Sequence, residues 1–287
     1  MKDSWQIQAT SFTPKVQQWL RQPTAVSLLH LFDHAINLID TNGTIISIVQ
    51  ISIGAGPFSI VVDAERPFPA TIHPPTNMHK TADELTIGSL HIDLRRARLW
   101  QPAPNWALLR QQQKVWLTIL PELETAVSQH QDRLTKGGPA HFAPTFHAAT
   151  NELCAAIAQP NATGLETTVS QLAGLGPGLT PAGDDFLLGV LLGLWAIRPE
   201  VEVVELAKRV METAVPRTTQ LSAAWLQAAA QGEAWLAWHN LLDALLAGSN
   251  WQVPFNRILN NGATSGIASL LGFIASIGTG NHQITCY

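Results

Sequence analysis

Hydrophobic and polar positions follow two different patterns along the 287-residue chain. In the first hundred residues, short runs of β-branched residues alternate partly with polar ones and end at turn residues, a pattern typical of strands. Asn42-Gly43 lies between two such runs and predicts a β-hairpin, whereas the stretch 74–80 reads as a loop. The predicted strands share this β-branched character: 36–39, 44–53, 58–62, 70–72 and 90–94.

Longer helical windows begin after Pro102-Ala103-Pro104, and most of them are bracketed by Gly or Pro. They predict the following helices: 121–134, 142–158, 165–173, 201–215, 219–231, 233–247 and 254–259. The Gly-Gly-Pro at 137–139 reads as a loop. We therefore predict an α+β protein, with a β-rich domain at 1–102 (a small barrel or sheet) and a mainly α-helical domain at 103–287.

A glycine-rich segment directly precedes the most apolar run of the chain. The letters G-L-G-P-G-L-T-P-A-G-D-D, residues 174–185, lead into F-L-L-G-V-L-L-G-L-W. Thr180 followed by Pro181 predicts a helix start with Thr180 as N-cap. Glycines permit positive φ and close approach of backbone N–H groups, and a helix start favours negative charge.

These features predict a loop that binds a phosphate or carboxylate through Gly176, Gly178, Thr180 and Gly183. The alternative is a turn that needs glycine only for steric reasons. The segment lacks the G-K-[ST] of a P-loop and the spacing of a dinucleotide fingerprint. Two later glycines, Gly189 and Gly193, form a G-x-x-x-G pattern that indicates close helix packing.

Asp184 and Asp185 are the candidate catalytic groups. Adjacent helical residues point roughly 100° apart, so we expect one carboxylate to face a ligand and the other to hold a loop or a partner helix. The alternative is that both only complement the helix dipole. Downstream, Arg217 and Thr218 precede a predicted helix that contains Ser222, and this group is typical of an anion clamp. A helix cap with a solvated arginine is the alternative there.

The glycine-rich helix start has an echo near the end of the chain. The segment G-A-T-S-G-I-A-S-L-L-G, residues 262–272, repeats a threonine two residues after a glycine and then two glycines six residues apart. Thr264, Ser265 and Gly266 are therefore candidate ligand contacts as well. The alternative is that two apolar helices merely share similar caps and packing glycines.

Composition narrows the possible partners. Only 13% of residues are charged, about half the usual share, so we expect partner subunits or a homo-oligomer to cover part of the surface. The net charge of -4 and pI near 6.2 provide no basic surface for nucleic acid or anionic lipid. The chain start carries no secretory pattern and the apolar run 186–197 is too short to span a membrane, so we expect a cytoplasmic location.

Metal and nucleophile patterns are weak. His30 and His34 are four residues apart but in a strand-like context, which disfavours a metal site. Cys154 and Cys286 lie far apart and read as reduced thiols. Spacing alone suggests no Ser-His-Asp or Cys-His arrangement, and we expect neither a metal nor an organic cofactor.

Several blocks in order resemble one bacterial protein family. The segment G-L-G-P-G-L-T-P-A-G-D-D-F-L-L-G resembles the hallmark of proteins grouped with the AllH subunit of oxamate carbamoyltransferase. Later blocks of that family are similar to T-T-Q-L-S-A-A-W-L-Q-A-A-A-Q-G and G-A-T-S-G-I-A-S-L-L-G, and earlier ones to H-L-F-D-H-A-I-N-L-I and G-P-F-S-I-V-V. The likeness extends over most of the chain.

The resemblance implies a role in purine (allantoin) degradation. It implies a carbamoyltransferase that needs companion subunits and converts oxalurate and phosphate to oxamate and carbamoyl phosphate. A non-catalytic small-anion-binding or scaffold subunit of a multi-subunit enzyme is the alternative. In either case we expect a small anionic ligand, such as a carbamoyl compound or phosphate.

Overall fold

The computed structural model describes residues 4–70, 72, 76–135 and 142–278. They form two compact units that divide between Pro102 and Ala103. A nearly closed, barrel-like sheet is followed by a mainly helical region, which confirms the predicted α+β class.

The first unit contains nine strands and one α-helix among its described residues. In chain order they are β1 (Trp5–Phe12), α1 (Pro14–Arg21), β2 (Val26–Leu31), β3 (Ala35–Asp40), β4 (Ile45–Gln50), β5 (Ser59–Asp63), β6 (Met78–Lys80), β7 (Glu84–Ile87), β8 (Leu90–Asp93) and β9 (Arg98–Leu99). The sheet order is β2-β3-β4-β5-β1-β8-β7-β6, and β9 extends the pairing of β1. The edge strands β2 and β6 lie close to each other, which nearly closes the sheet.

Most predicted strands are confirmed and two assignments are wrong. The predicted strand 44–53 is also too long, because β4 ends at Gln50 and residues 51–53 form a turn in which Ile53 N–H donates to Gln50 O. β3 and β4 pair antiparallel around the Asn42-Gly43 turn, as the hairpin pattern predicts. Ala70 lies in a 3₁₀ turn, Phe68–Ala70, because the prolines of R-P-F-P-A favour a turn and Ala70 N–H donates to Pro67. Residues Met78–Lys80 form a strand on β7 instead of a loop.

The second unit is helical in its described part. Its α-helices are α2 (Trp106–Gln111), α3 (Gln113–Trp116), α4 (Leu120–Ser128), α5 (Asp132–Thr135), α6 (Phe142–Ala158), α7 (Leu165–Leu172), α8 (Ala182–Ile197), α9 (Glu200–Ala214), α10 (Gln220–Ala230), α11 (Leu236–Ala247), α12 (Gln252–Leu259) and α13 (Ser265–Gly278). The predicted helix 121–134 is divided by a turn between α4 and α5. The helix predicted from 233 begins at Leu236, because Gly232 has a φ of 73° and Glu233 N–H closes the end of α10. The predicted loop at 137–139 and Cys286 lie outside the described residues.

α8 and α13 form the centre of this unit and pack side by side in the same direction. A Cβ on Gly189 would lie 1.9 Å from Ser269 O, and one on Gly193 would lie 2.0 Å from Ser276 Oγ. Conversely, a Cβ on Gly272 would lie 2.0 Å from Phe186 O. In the sequence echo Gly189 corresponds to Gly272, and Phe186 corresponds to Ser269. The contact of Gly189 with Ser269 O and that of Gly272 with Phe186 O are therefore equivalent. The two echo segments are therefore related by an approximate two-fold axis along the helices.

Candidate anion site at the paired helix starts

The parallel packing of α8 and α13 brings their N-terminal ends together. Thr180, just before α8, and Ser265, the first residue of α13, have their hydroxyl oxygens 3.0 Å apart. Pro181, not Thr180, is the N-cap of α8: its carbonyl accepts from Asp184 and Asp185, and the Thr180 hydroxyl faces α13 instead. Two positive helix ends lie side by side here, an arrangement that favours negative charge.

The glycine loop, defined as residues 174–181, connects α7 to α8. Gly174, Gly176 and Gly178 have φ values of 74°, 118° and 95°, which favour glycine over L-residues. A Cβ on Gly174 would lie 2.5 Å from Arg217 O, whereas Gly178 is exposed with no atom within 4 Å of a Cβ. Gly174 therefore serves close packing, and Gly178 is at the open part of the loop. Thr219 anchors the loop by donating to Leu179 O.

Asp184 is buried and holds the loop in place. Its Oδ1 accepts from Gly174 N–H at 2.9 Å, and its Oδ2 accepts from the hydroxyls of Ser222, at 2.9 Å, and Thr218. Burial raises the pKa of Asp184 above its usual value, while these three hydrogen bonds act in the opposite direction. One of these donors lies in the glycine loop and the other two lie at the start of α10, so the Asp184 carboxylate links the two segments.

Asp185 is also buried but has far fewer partners. Ser265 donates to its carboxylate, and its Oδ2 has no hydrogen-bond partner. The pKa of Asp185 is raised to about 8: burial is the largest cause, the Ser265 hydrogen bond acts in the opposite direction, and the charge of Asp184 adds to the rise. An unpartnered buried carboxylate oxygen is unfavourable when charged. Asp185 thus connects α8 to the start of α13 and holds a proton readily.

The loop before α13 has its own anchor. Arg133 on α5 donates to the carbonyl oxygens of Leu259, Gly262 and Ala263 at 3.1 to 3.4 Å. Thr264 accepts from Ala268 N–H through its carbonyl oxygen, which makes it the start of α13. The loop geometry is fixed by these backbone contacts.

Two of the predicted glycine contacts are packing positions. A Cβ on Gly183 would lie 2.0 Å from Leu172 O, and one on Gly266 would lie 1.9 Å from Ile258 O. Each glycine donates its N–H to the preceding loop, Gly183 to Leu175 and Gly266 to Asn261, both at 2.9 Å. Close helix crossing explains both residues, in line with the echo between them.

The structure thus sorts the predicted residues into two clusters. Thr180, Ser265 and Asp185 form one, and Asp184, Thr218 and Ser222 form the other. The exposed Arg217 joins neither through its guanidinium, which donates to Thr213 O at the end of α9.

The sequence reasoning missed two residues that shape the site. Gly174 has a local signal, as the first of three glycines at alternate positions. Arg133 has none, because it reaches a loop more than 120 residues away in the chain.

Two further findings concern only the described part of the chain. There, no three His, Cys, Asp or Glu residues are grouped as metal ligands. The helices of the same residues include none whose length and apolar character would allow it to cross a membrane.

Comparisons with known proteins identify the family. Residues 172–277 match the family model described as oxamate carbamoyltransferase subunit AllH, and residues 8–99 match the AllH family N-terminal domain. Together the two matches cover more than two thirds of the chain and include both helix starts. Neither curated proteins nor solved structures gave a match. The two family matches confirm the resemblance seen in the sequence blocks: the chain belongs to the AllH family.

Proposed function

We propose that this chain is a subunit of an oxamate carbamoyltransferase that acts in purine (allantoin) degradation. The enzyme converts oxalurate and phosphate to oxamate and carbamoyl phosphate. The observation that carries the proposal is the pairing of two helix starts at Thr180 and Ser265, within the region that matches the family model. A family described as a subunit also implies companion subunits.

The chemistry of the substrates suits such a site. Oxalurate, oxamate, phosphate and carbamoyl phosphate are all small anions, and helix starts bind anions through free N–H groups and their positive ends. In our proposal the ligand lies at the outer part of the glycine loop, near Gly176 and Gly178, and contacts the hydroxyl of Thr180, whose oxygen lies 3.0 Å from that of Ser265. Asp184 holds the glycine loop in position by accepting a hydrogen bond from Gly174 N–H.

Catalysis in this proposal depends on positioning and electrostatic stabilisation. A phosphate oxygen attacks the carbamoyl carbon of oxalurate, the bond from that carbon to the inner nitrogen breaks, and the phosphate proton passes to that nitrogen. The helix starts stabilise the negative charge of the transition state. Neither a metal nor an organic cofactor enters this scheme.

The second candidate is a non-catalytic subunit that binds a small anion or serves as a scaffold. The low proportion of charged residues favours it, because a surface covered by partners needs few charges. In that case the glycine loop only docks a partner or senses an acid metabolite.

Reconstitution with the companion subunits separates the two candidates. We expect Thr180→Val to lower carbamoyl transfer ~10- to 100-fold, the loss typical of one hydrogen bond to a charged group. Ser265→Ala should lower it as well, because Ser265 holds the Thr180 hydroxyl, and assembly should stay intact in both variants. Ser128→Ala is the matched control, since this exposed hydroxyl on α4 binds only a backbone carbonyl. If both site variants transfer carbamoyl groups at the normal rate and only assembly suffers, the scaffold role replaces the catalytic one.

A further inference from the structure

Three side chains form a chain of hydrogen bonds that leads from the interior to the glycine loop, and this inference rests on the proposed function. Asp185 is buried and Thr180 and Ser265 are half-buried. Ser265 lies between them, bonded to the Asp185 carboxylate on one side and 3.0 Å from the Thr180 hydroxyl on the other. Each hydroxyl has one hydrogen, so the direction of one bond determines the direction of the next.

The charge of Asp185 determines that direction. An ionised carboxylate only accepts, so Ser265 must donate inward, Thr180 donates to Ser265, and the Thr180 oxygen offers lone pairs to the outside. A neutral carboxyl group can instead donate to Ser265. Ser265 then donates to Thr180, and the Thr180 hydrogen points outward, where an anion can accept it. Only the second direction suits a negatively charged ligand.

We propose that Asp185 is a positioning residue whose neutral form turns the Thr180 hydroxyl outward as a donor, so that anion binding at the paired helix starts requires a protonated Asp185. Above the pH at which Asp185 ionises, binding takes up one proton. Below it, the proton is already present and binding takes up none. The affinity of the site for the anion thereby depends on pH through Asp185, a group that does not contact the ligand.

Two observations support the neutral form. The Oδ2 of Asp185 is buried without a partner, which penalises the carboxylate more than the acid. Burial also raises the pKa of Asp185 to about 8. Both favour a neutral Asp185 at pH 7, and with a pKa of about 8 most of the Asp185 carboxyl groups are ionised at pH 9.

The charges on the surrounding elements leave Asp184 as the charged group that acts on Asp185. α10 and α13 have no charged residue, and those of α9 other than the paired Arg209 are exposed. Four charged groups on neighbouring segments have other partners: Glu166 on α7 pairs with Arg209, Arg217 donates to Thr213 O, Arg110 on α2 donates to Trp195 O, and Arg133 donates to the loop before α13. Glu124 on α4 has a pKa raised by its own burial and is not one of the groups that act on Asp185.

Calorimetric titration with oxamate tests the proposal, because the oxamate carboxylate stays ionised from pH 7 to pH 9. The sample is the purified protein with the partner subunits that accompany it. We expect roughly tenfold weaker binding at pH 9 than at pH 7, as the neutral fraction falls. The heat at pH 9 should vary with the ionisation enthalpy of the buffer, and the slope should approach one proton taken up.

Variants distinguish this chain of hydroxyls from a structural role. Ser265→Ala should bind oxamate more weakly at pH 7 and show no pH dependence, whereas Ser265→Thr, which keeps the hydroxyl, should restore both. Asp185→Asn should bind equally at the two pH values. Glu124→Gln is the matched control: Glu124 on α4 is another acid with an unpartnered buried oxygen and a raised pKa, and its loss should leave the tenfold change intact.

The outcomes separate this inference from the proposed function. Equal oxamate affinity at both pH values in the natural protein, without proton uptake, would overturn the hydroxyl chain and leave the carbamoyltransferase site standing. A tenfold change that persists in Ser265→Ala would also overturn it. Failure to bind oxamate at either pH would overturn the proposed site itself.

Discussion

Asp184 and Asp185 are neighbours in sequence with opposite surroundings. Because successive helical side chains point about 100° apart, one reaches α10 and the glycine loop and the other reaches α13. The Asp184 carboxylate accepts hydrogen bonds from three donors, whereas Asp185 accepts one and its Oδ2 has no hydrogen-bond partner. The first carboxylate therefore stabilises local structure, and the second is the group whose protonation state is poised to change.

The raised pKa of Asp185 makes its effect on stability depend on pH. Its folded value of about 8 lies above the unfolded value near 3.8, so between these limits the folded state holds a proton that the unfolded state releases. The contribution of Asp185 to the free energy of unfolding therefore falls as pH rises from about 4 to 8, by up to ~1.4 kcal/mol per pH unit. Asp185→Asn removes this loss and should gain stability over the natural protein across that window.

Urea unfolding at pH 5, 6, 7 and 8 measures the difference. The advantage of Asp185→Asn should widen with each step and level off above pH 8. Asp243→Asn, an exposed acid on α11, serves as the control and should follow the natural protein. A constant difference between Asp185→Asn and the natural protein over the whole range would show that Asp185 does not carry the proton.

At the scale of elements, the site exists because α8 and α13 approach so closely. Glycines on both helices allow backbone to contact backbone, and this contact fixes the register that puts Thr180 beside Ser265. Parallel packing of two helices places like helix ends together, which is unfavourable without a negative group nearby. The Asp184 carboxylate at the start of α8 and the proposed ligand supply that charge.

Gly189→Ala and Gly272→Ala test the close approach. Alanine usually stabilises a helix interior by about 0.5–1 kcal/mol relative to glycine, but here each new Cβ would lie within 2.0 Å of a carbonyl oxygen of the partner helix. We expect each variant to lose about 1–3 kcal/mol or more in urea unfolding. The double variant should lose less than the sum, because both changes separate the same two helices.

Gln227→Ala, at an exposed position of α10, is the control for the introduced alanine. It should change the unfolding free energy by a few tenths of a kcal/mol. Unchanged or increased stability in either glycine variant would contradict the backbone-to-backbone packing.

Elements with strong local signals could be predicted from sequence, and those that depend on distant partners could not. The hairpin around Asn42-Gly43 and the helices bracketed by Gly or Pro contain or adjoin the residues that form their turns, so their ends can be read from the local sequence. β6 is only three residues long and owes its form to pairing with β7. α1 was missed although Thr13 and Pro14 form a capped helix start, because its eight residues follow a strand without a break in composition.

The candidate site divides in the same way. Its motif, G-x-G-x-G followed by T-P and D-D, is local and predicts a loop before a helix. The roles within the motif depend on α10 and α13, which follow it by about 40 and 80 residues, so sequence could not assign Asp184 to the loop or Asp185 to Ser265. The echo at 262–272 was the one sequence signal that pointed to the second helix start.

At the scale of the whole molecule, the two family matches fall on the two compact units separately. One match lies within the β-rich unit and the other within the helical unit, and every residue of the candidate site belongs to the helical one. The low share of charged residues and the family description as a subunit both favour companion subunits.

This division predicts that residues 103–287 fold without the first unit. The buried apolar residues of the helical unit form one continuous cluster, from Trp106 to Ile277, of a size sufficient for an independent domain. A fragment of residues 103–287 should therefore unfold cooperatively in urea, and Asp185→Asn in that fragment should gain stability from pH 5 to 8 as it does in the full chain. Circular dichroism monitors both. A fragment that lacks cooperative unfolding would show that the helical core depends on residues 1–102. A fragment that unfolds cooperatively but shows no pH-dependent gain from Asp185→Asn would show that the environment of Asp185 depends on residues 1–102.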